Sequence, residues 1–290
     1  MACKYPILIK NPQFNDPIRS SERRYTHLKV PCGKCIECNK RRSRSWIFRL
    51  EQELRTSASA FFVTLTYADE NLTWCNSGAP TLNKTDLQNY WKRLRKAHKK
   101  RDNNKIKYFA CREYGTITKR PHYHAIIYNA YSQDIIDTWE DGHVHVGNVT
   151  QDSIAYTTKY IMKENEDYQE QFRDDPTFIR ERAYISKGLG KGYTDNEHIK
   201  KYHQENLEAN YLQDSKGFKY AMPRYYRERL YTEEQKEQIK FITQKQIDEQ
   251  EEITFKEEQE DPNHYKKLIQ QQKYTDYLQE HRLKKKRKIL

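Results

Sequence analysis

The stretch from Ile106 to Tyr128 constrains the fold more than any other part of this 290-residue chain. It holds two runs rich in aromatic and β-branched residues, Ile106 to Tyr114 and Arg120 to Tyr128, separated by Gly115 to Lys119. Runs of this length and composition on either side of a short glycine-led turn read as an antiparallel hairpin. Side chains alternate along a strand, so His122 and His124 point to one face. Glu113, near the end of the first strand, lies across the hairpin from His122. Two imidazoles and a carboxylate there make a facial set that leaves positions open on a metal. Mixed nitrogen and oxygen ligands suit Mg2+ or Mn2+ and leave room for a phosphate oxygen. His143 and His145, in the glycine-flanked strand Gly142 to Gly147, are a competing pair. They rank lower, because Asp141 is the only carboxylate near them in sequence.

Ala60 to Tyr67 is the clearest further strand, and Gly142 to Gly147 makes a fourth. Apolar periodicity predicts a helix over 35–56, with Trp46, Ile47, Leu50 and Leu54 as its stripe. A second helix starts at Thr85 as cap, carries Leu87, Tyr90, Trp91 and Leu94, and ends in the basic run Lys92 to Arg101. Short helical patterns follow over 132–139 (Ile135, Ile136, Trp139) and over 151–163, the latter capped by Thr150 or Asp152. The order strand, helix, strand pair, helix, strand, helix predicts an α+β fold, an antiparallel β-sheet flanked by α-helices. An N-terminal Cys-rich knuckle precedes it and a helical C-terminal extension follows. The expected organisation is an arm, knuckle and basic helix over 1–58, a core over 59–165, a basic aromatic extension packing on the core over 166–230, and a charged helical tail over 231–290, partly disordered. Residues 1–31 read as an irregular arm and 72–83 as a loop. The glycines of Lys187 to Gly192 are wrongly spaced for a nucleotide-binding P-loop.

Lys and Arg total 53 against 41 for Asp and Glu, a net charge of +12. That balance points to a polyanionic partner. Lys40, Arg41, Arg42, Arg44 and Arg49 give the first helix a basic side suited to tracking phosphates. The 23 tyrosines offer flat faces on which single-stranded bases stack. The first residues lack a signal-peptide pattern, and no apolar run approaches the roughly 18 residues of a membrane span. The reading is a cytoplasmic chain with no membrane partner, whose cysteines are reduced. Cys32, Cys35 and Cys38, spaced Cys-x-x-Cys-x-x-Cys, then read as a zinc knuckle rather than a disulfide framework. Cys3 is the first candidate for the fourth ligand and His27 the second.

Tyr156 and Tyr160 fall one helical turn apart on one face. A phenol with its ordinary pKa near 10 is a poor nucleophile at neutral pH. Lys159 beside the pair would lower that pKa and offset charge on a phosphate under attack.

Taken together these residues resemble the HUH endonucleases, the superfamily of rolling-circle replication initiators and relaxases. Phe62 to Tyr67 resembles the first motif of that superfamily, and Arg120 to His124 the second. Tyr156 to Lys163 resembles the double-tyrosine third motif of small single-stranded-DNA phage initiators. The knuckle from Cys32 to Cys38 and the segment Pro223 to Tyr226 resemble the gokushovirus branch of the microviruses. The resemblance spans about residues 1–230. It implies a replication initiator acting in the host bacterial cytoplasm on single-stranded or supercoiled phage origin DNA. Tyr156 or Tyr160 would attack the scissile phosphodiester, with Mg2+ or Mn2+ on His122, His124 and Glu113 polarising the phosphate. A 5′-phosphotyrosine and a free 3′-OH for host polymerase would result, and the second tyrosine would act in rejoining. A host helicase would be recruited, since the chain has no helicase domain. Two other readings compete: a non-catalytic nucleic-acid-binding protein using the zinc knuckle and basic helices, and a non-haem iron oxygenase using the His-His-Glu set. The charge and the tyrosine helix count against the oxygenase.

Overall fold

The computed structural model describes residue 3, residues 5–10, 26–101, 104–115, 117–159, 166–214 and 217–261, and scattered positions between 263 and 278. The chain divides into two compact units, Met1–Gly190 and Lys191–Leu290.

The first unit opens with a two-stranded antiparallel hairpin, β1 (Ile7–Lys10) and β2 (His27–Val30). The N-terminal arm is therefore not wholly irregular, as its sequence suggested. α1 (Ile36–Thr56) and β3 (Ala60–Tyr67) follow, then the small hairpin of β4 (Thr73–Trp74) and β5 (Pro80–Thr81) within the expected loop. α2 (Lys84–Lys99), β6 (Lys107–Tyr114), β7 (Pro121–Tyr128), α3 (Ser132–Asp137), β8 (Gly142–Asn148), α4 (Gln151–Lys159), α5 (Glu166–Glu170) and β9 (Arg182–Ile185) complete it. The expected continuation of α4 to residue 163 lies outside the described residues. Five strands form one antiparallel sheet in the order β8-β3-β7-β6-β9.

Strand alternation sorts the side chains of this sheet onto two faces. Val63, Leu65, Tyr67, Ala110, Tyr123, Ala125 and Ile127 face α2 and α3, whose Leu87, Tyr90, Trp91, Leu94, Ile135 and Trp139 close the larger core. Each fully buried large apolar side chain of this kind contributes about 1.5–3 kcal/mol. The other face is divided. Its apolar end, with Phe109, Ile126, Tyr128 and Phe62, is covered by Trp46, Ile47 and Leu50 of α1, Ile154 of α4, and Leu189. The Tyr128 hydroxyl donates to the Leu50 carbonyl at 3.0 Å, and Trp46 meets Phe109 edge-on at 5.4 Å. At the opposite end the same alternation presents Cys111, Glu113, His122, His124, Thr64 and Thr66 instead.

Several local expectations shift. Leu54 is exposed and Phe48 buried, so the stripe of α1 is rotated from the one expected. The cap of α2 is Asn83, whose side chain accepts from the Thr85 N–H at 2.9 Å, so Thr85 is the capped residue and not the cap. Ile136 of α3 is exposed. Thr150 caps α4, accepting from the Ser153 N–H at 3.1 Å. The 187–192 loop is pinned from α1: Arg49 donates twice to the Leu189 carbonyl, at 3.0 and 3.1 Å, and Glu53 accepts from the Gly190 N–H at 2.9 Å. Glu53 also pairs with Lys107 at 2.7 Å. Gly188 and Gly190 hold φ near 78° and 72°, a conformation that only glycine adopts without strain.

The second unit contains α6 (Gly192–Asp195), α7 (Glu197–Glu205), the hairpin β10 (Tyr211–Gln213) and β11 (Lys219–Ala221), α8 (Arg224–Leu230) and the long α9 (Glu233–Glu260). Tyr193, His203, Tyr226 and Tyr231 form its aromatic centre. Thr232 caps α9 through a reciprocal box with Gln235. Among the described residues no helix is long and apolar enough to cross a membrane.

Candidate metal and nuclease centre

Among the described residues two groups of side chains converge closely enough to hold a metal ion. The first lies on the polar end of the main sheet. Pairing of β6 with β7 sets Glu113 opposite His122 and Cys111 opposite His124. Pairing of β7 with β3 sets His122 opposite Thr66 and His124 opposite Thr64. The Nε2 atoms of His122 and His124 lie 3.1 Å apart, and Glu113 Oε2 lies 3.6 Å from each. Two nitrogens at right angles about 2.1 Å from one ion would be about 3 Å apart, so the imidazole pair has the spacing of adjacent octahedral ligands.

The far side of each ring is also engaged. His122 Nδ1 lies 3.0 Å from the Arg120 carbonyl, which can only accept. The proton therefore sits on Nδ1, and the Nε2 lone pair faces Glu113. His124 Nδ1 lies 3.0 Å from Thr64 Oγ1, giving its ring an orienting partner of the same kind. Burial alone would depress the His122 pKa. The Glu113 hydrogen bond, the Arg120 carbonyl and the Glu113 charge outweigh it and raise the value above 6.5. Glu113 is only 3% exposed, and a carboxylate so placed needs a positive neighbour. Either a protonated imidazole or a cation meets that need, and the converging lone pairs fit the cation.

Arg120 holds this corner together. Its guanidinium donates to the Tyr67 carbonyl at 2.7 Å and pairs with Asp69, pinning the start of β7 to the end of β3.

α4 supplies the nearest phenol. Its Ile154, Thr157 and Thr158 are buried, and Ser43 of α1 donates to Thr158 Oγ1 at 3.4 Å. Tyr156, 43% exposed, instead stands over the centre, edge-on to His124 at 5.4 Å and to Phe62 at 6.2 Å between ring centroids. A tyrosine serving only as core would be expected to exchange places with those threonines. Lys159 ends the described helix, and Tyr160 lies outside the described residues.

The second group is the knuckle. The sulfurs of Cys3, Cys32, Cys35 and Cys38 lie within 4.8 Å of one another, with Cys3 to Cys35 at 3.7 Å and Cys32 to Cys38 at 4.0 Å. Tetrahedral thiolates about 2.3 Å from zinc would be about 3.8 Å apart. Cys3 thus joins the set, and the alternative ligand His27 sits in β2 beside Thr26, outside it. The Cys32 N–H donates to Cys3 Sγ and the Cys35 N–H to Cys32 Sγ, each at 3.3 Å. The Cys35 and Lys34 amides hold the Cys32 thiol below its ordinary pKa, whereas burial pushes Cys38 up to about 12. Gly33, at φ 75°, makes the turn between the first two cysteines.

Sequence reasoning missed Thr64. Its signal is present, a polar residue alternating with Val63 and Leu65, but its partner is visible only once β3 and β7 are in register. Thr64→Val is expected to weaken metal affinity about 10- to 100-fold, the usual effect of losing such an orienting bond. Calorimetric Mn2+ titration measures it, and unchanged affinity would leave Thr64 a packing residue.

Comparison with known proteins agrees with this arrangement. Residues 60–165 match the family model for the replication-associated protein ORF2. The chain is 28% identical to the replication-associated protein ORF2 of Spiroplasma virus 4, over 96% of this chain and 93% of that protein. It is 28% identical to the replication-associated protein VP4 of Bdellovibrio phage phiMH2K, over 79% of this chain and 76% of the relative. Replication-associated protein ORF4 of Chlamydia phage 1 is 25% identical over 69% of this chain and 53% of its own length. No solved structure matches the chain.

Proposed function

We propose that this chain, a relative of the replication-associated proteins of the Spiroplasma, Bdellovibrio and Chlamydia phages, initiates phage DNA replication by nicking one strand at the origin. The observation that carries the reading is the position of Tyr156, an exposed phenol edge-on to His124 above a converging His-His-Glu set. His122, His124 and Glu113 would hold Mg2+ or Mn2+, which supplies positive charge to the phosphate under attack. The Tyr156 oxygen attacks phosphorus, its proton passes to solvent, and the P–O3′ bond breaks. The 3′ oxygen takes up a proton and leaves as a free hydroxyl, and the 5′ phosphate stays on the tyrosine. Lys159, three residues further along α4, is assigned the role of lowering the phenol pKa. Tyr160, one turn away, is assigned the second cleavage and rejoining, so that two phosphotyrosines can alternate. The reading places the chain in the host bacterial cytoplasm, with host helicase and polymerase extending the free 3′-OH.

The test is incubation of the protein with single-stranded origin DNA and Mn2+, followed by denaturing electrophoresis. A labelled DNA fragment that stays with the protein through denaturation supports the reading. Salt-sensitive binding with no adduct and no cleaved strand would leave a nucleic-acid-binding protein instead.

The knuckle is assigned structural zinc. Purified reduced protein is expected to contain about one zinc per chain, by the four-thiolate geometry of such sites. Cys38→Ser is expected to release it and to lower the thermal midpoint by about 6–12 °C, corresponding to about 3 kcal/mol. Elemental analysis showing no zinc in the wild-type protein would remove the assignment.

A further inference from the structure

His143 and His145 resembled a rival metal site in sequence, but the sheet places them beside the first site and not in place of it. β3 pairs with both β7 and β8, so two rows run across the sheet. One is Glu113, His122, Thr66, His143, and the other is Cys111, His124, Thr64, His145. Residues in register on neighbouring strands share a face. All four histidines therefore project from the same side, with the hydroxyls of Thr64 and Thr66 between the pairs. Two strand spacings put the second pair about 10 Å from the first. That is the length of about three nucleotide rises in a helical strand, and of fewer in an extended one.

The pair differs from the metal centre in two respects. Both imidazoles are exposed, and among the described residues neither ring has a hydrogen-bond or ion-pair partner. The carboxylates nearest in sequence are turned to another task, since Glu140 and Asp141 pair with Arg93 at 3.2 and 3.8 Å. No third metal ligand is thus offered, and no acid repels an anion. The side-chain-free Gly147 lies next on the same face, with His145 Cε1 3.7 Å from where its Cβ would stand. The His145 ring therefore lies alongside that open position. Gly147 is in turn opposite Phe62, which touches Tyr156. A shallow track runs from the edge strand across two threonine hydroxyls to the metal centre.

We propose that His143 and His145 form a phosphate-contact site that holds the single-stranded DNA substrate on the β8 edge, beside the scissile bond. The inference rests on the nuclease reading for its substrate, but its test does not. Fluorescence anisotropy is measured with a labelled mixed-sequence single-stranded oligodeoxynucleotide in EDTA, where neither cleavage nor metal contributes. The double variant His143→Gln, His145→Gln is expected to bind about tenfold more weakly, the scale of one lost charge-assisted contact. The double variant His143→Lys, His145→Lys is expected to return to within about twofold of wild type, since Lys also donates to phosphate. Unchanged affinity in the glutamine variant would overturn the proposal. So would failure of the lysine variant to recover, which would indicate base recognition, or a Zn2+ site detected by calorimetry and lost in the glutamine variant. Both side chains are exposed, so the variants should fold; if the double variant shows a lowered thermal midpoint, His145→Gln alone is compared with wild type by the same criterion. A loss of affinity would stand even if no tyrosine adduct forms, and an adduct can form with affinity unchanged.

Discussion

Replacing Tyr156 and Tyr160 together with Phe is expected to remove the covalent protein–DNA adduct and to lower strand cleavage by at least about 10⁴-fold, the scale of losing a nucleophile. Phe keeps the ring, so the edge-on contacts of Tyr156 with His124 and Phe62 survive and only the oxygen is lost. Because residue 156 is exposed, the substitution should leave the thermal midpoint within about 2 °C, as for surface positions generally. Affinity for single-stranded DNA in EDTA should also be retained. Tyr156→Phe alone is expected to leave slower cleavage through Tyr160. The measurement is single-turnover cleavage in Mn2+ with both products resolved on a denaturing gel. A double variant that cleaves at the wild-type rate would show that the nucleophile is not on this helix.

Glu113→Gln and His124→Ala are each expected to lower cleavage by at least about 10³-fold, the upper scale for removing a stabiliser of developing charge. Their effects on stability should differ, and the difference separates a metal site from a buried polar network. Glu113 is a buried carboxylate between two imidazoles. Without metal its charge carries a desolvation cost, so the neutral isostere Gln should leave the thermal midpoint unchanged or raise it. Wild-type protein should gain stability on adding Mn2+, because binding to the native state alone shifts unfolding by mass action. Glu113→Gln should lose most of that gain. A Glu113→Gln protein strongly destabilised without metal, with no Mn2+ effect on wild type, would mean that the cluster only supports the fold. His124→Ala also opens space beside Phe62, which stacks on the ring at 5.7 Å, so it is read by cleavage and metal binding rather than by stability.

Much of this site was legible in the sequence because it rests on short-range periodicities. Strand alternation put His122 and His124 on one side, and the short turn after Tyr114 brought Glu113 opposite His122. The cysteine spacing likewise placed three sulfurs on one turn. Element ends were less legible. Thr85 and Asn83 are both good caps by composition, and the backbone conformation chose Asn83. In α1, Leu54 and Phe48 are both apolar, and only docking on the sheet determined which is buried. The β1–β2 hairpin was missed because its strands are short and exposed, with weak periodicity and no core face to enforce one.

Contacts between distant segments lay beyond reach. Arg49 and Glu53 clamping the 187–190 loop, Ser43 reaching Thr158, and Cys3 closing the knuckle join residues 29 to 140 positions apart. Nothing local in the sequence marks such pairs.

The sequence by itself determined that a histidine pair and a carboxylate share one strand hairpin, that two tyrosines fall one turn apart, and that a basic chain should meet a polyanion. All three follow from fixed backbone repeats and from charge. Only the tertiary structure decided that α4 turns Tyr156 toward that hairpin while burying Thr157 and Thr158. It also decided that β3 lies between β7 and β8, so that His143 and His145 extend the same face. Strand order and helix rotation are set by which apolar surfaces close on one another across the whole unit, and no single segment of the chain encodes that outcome.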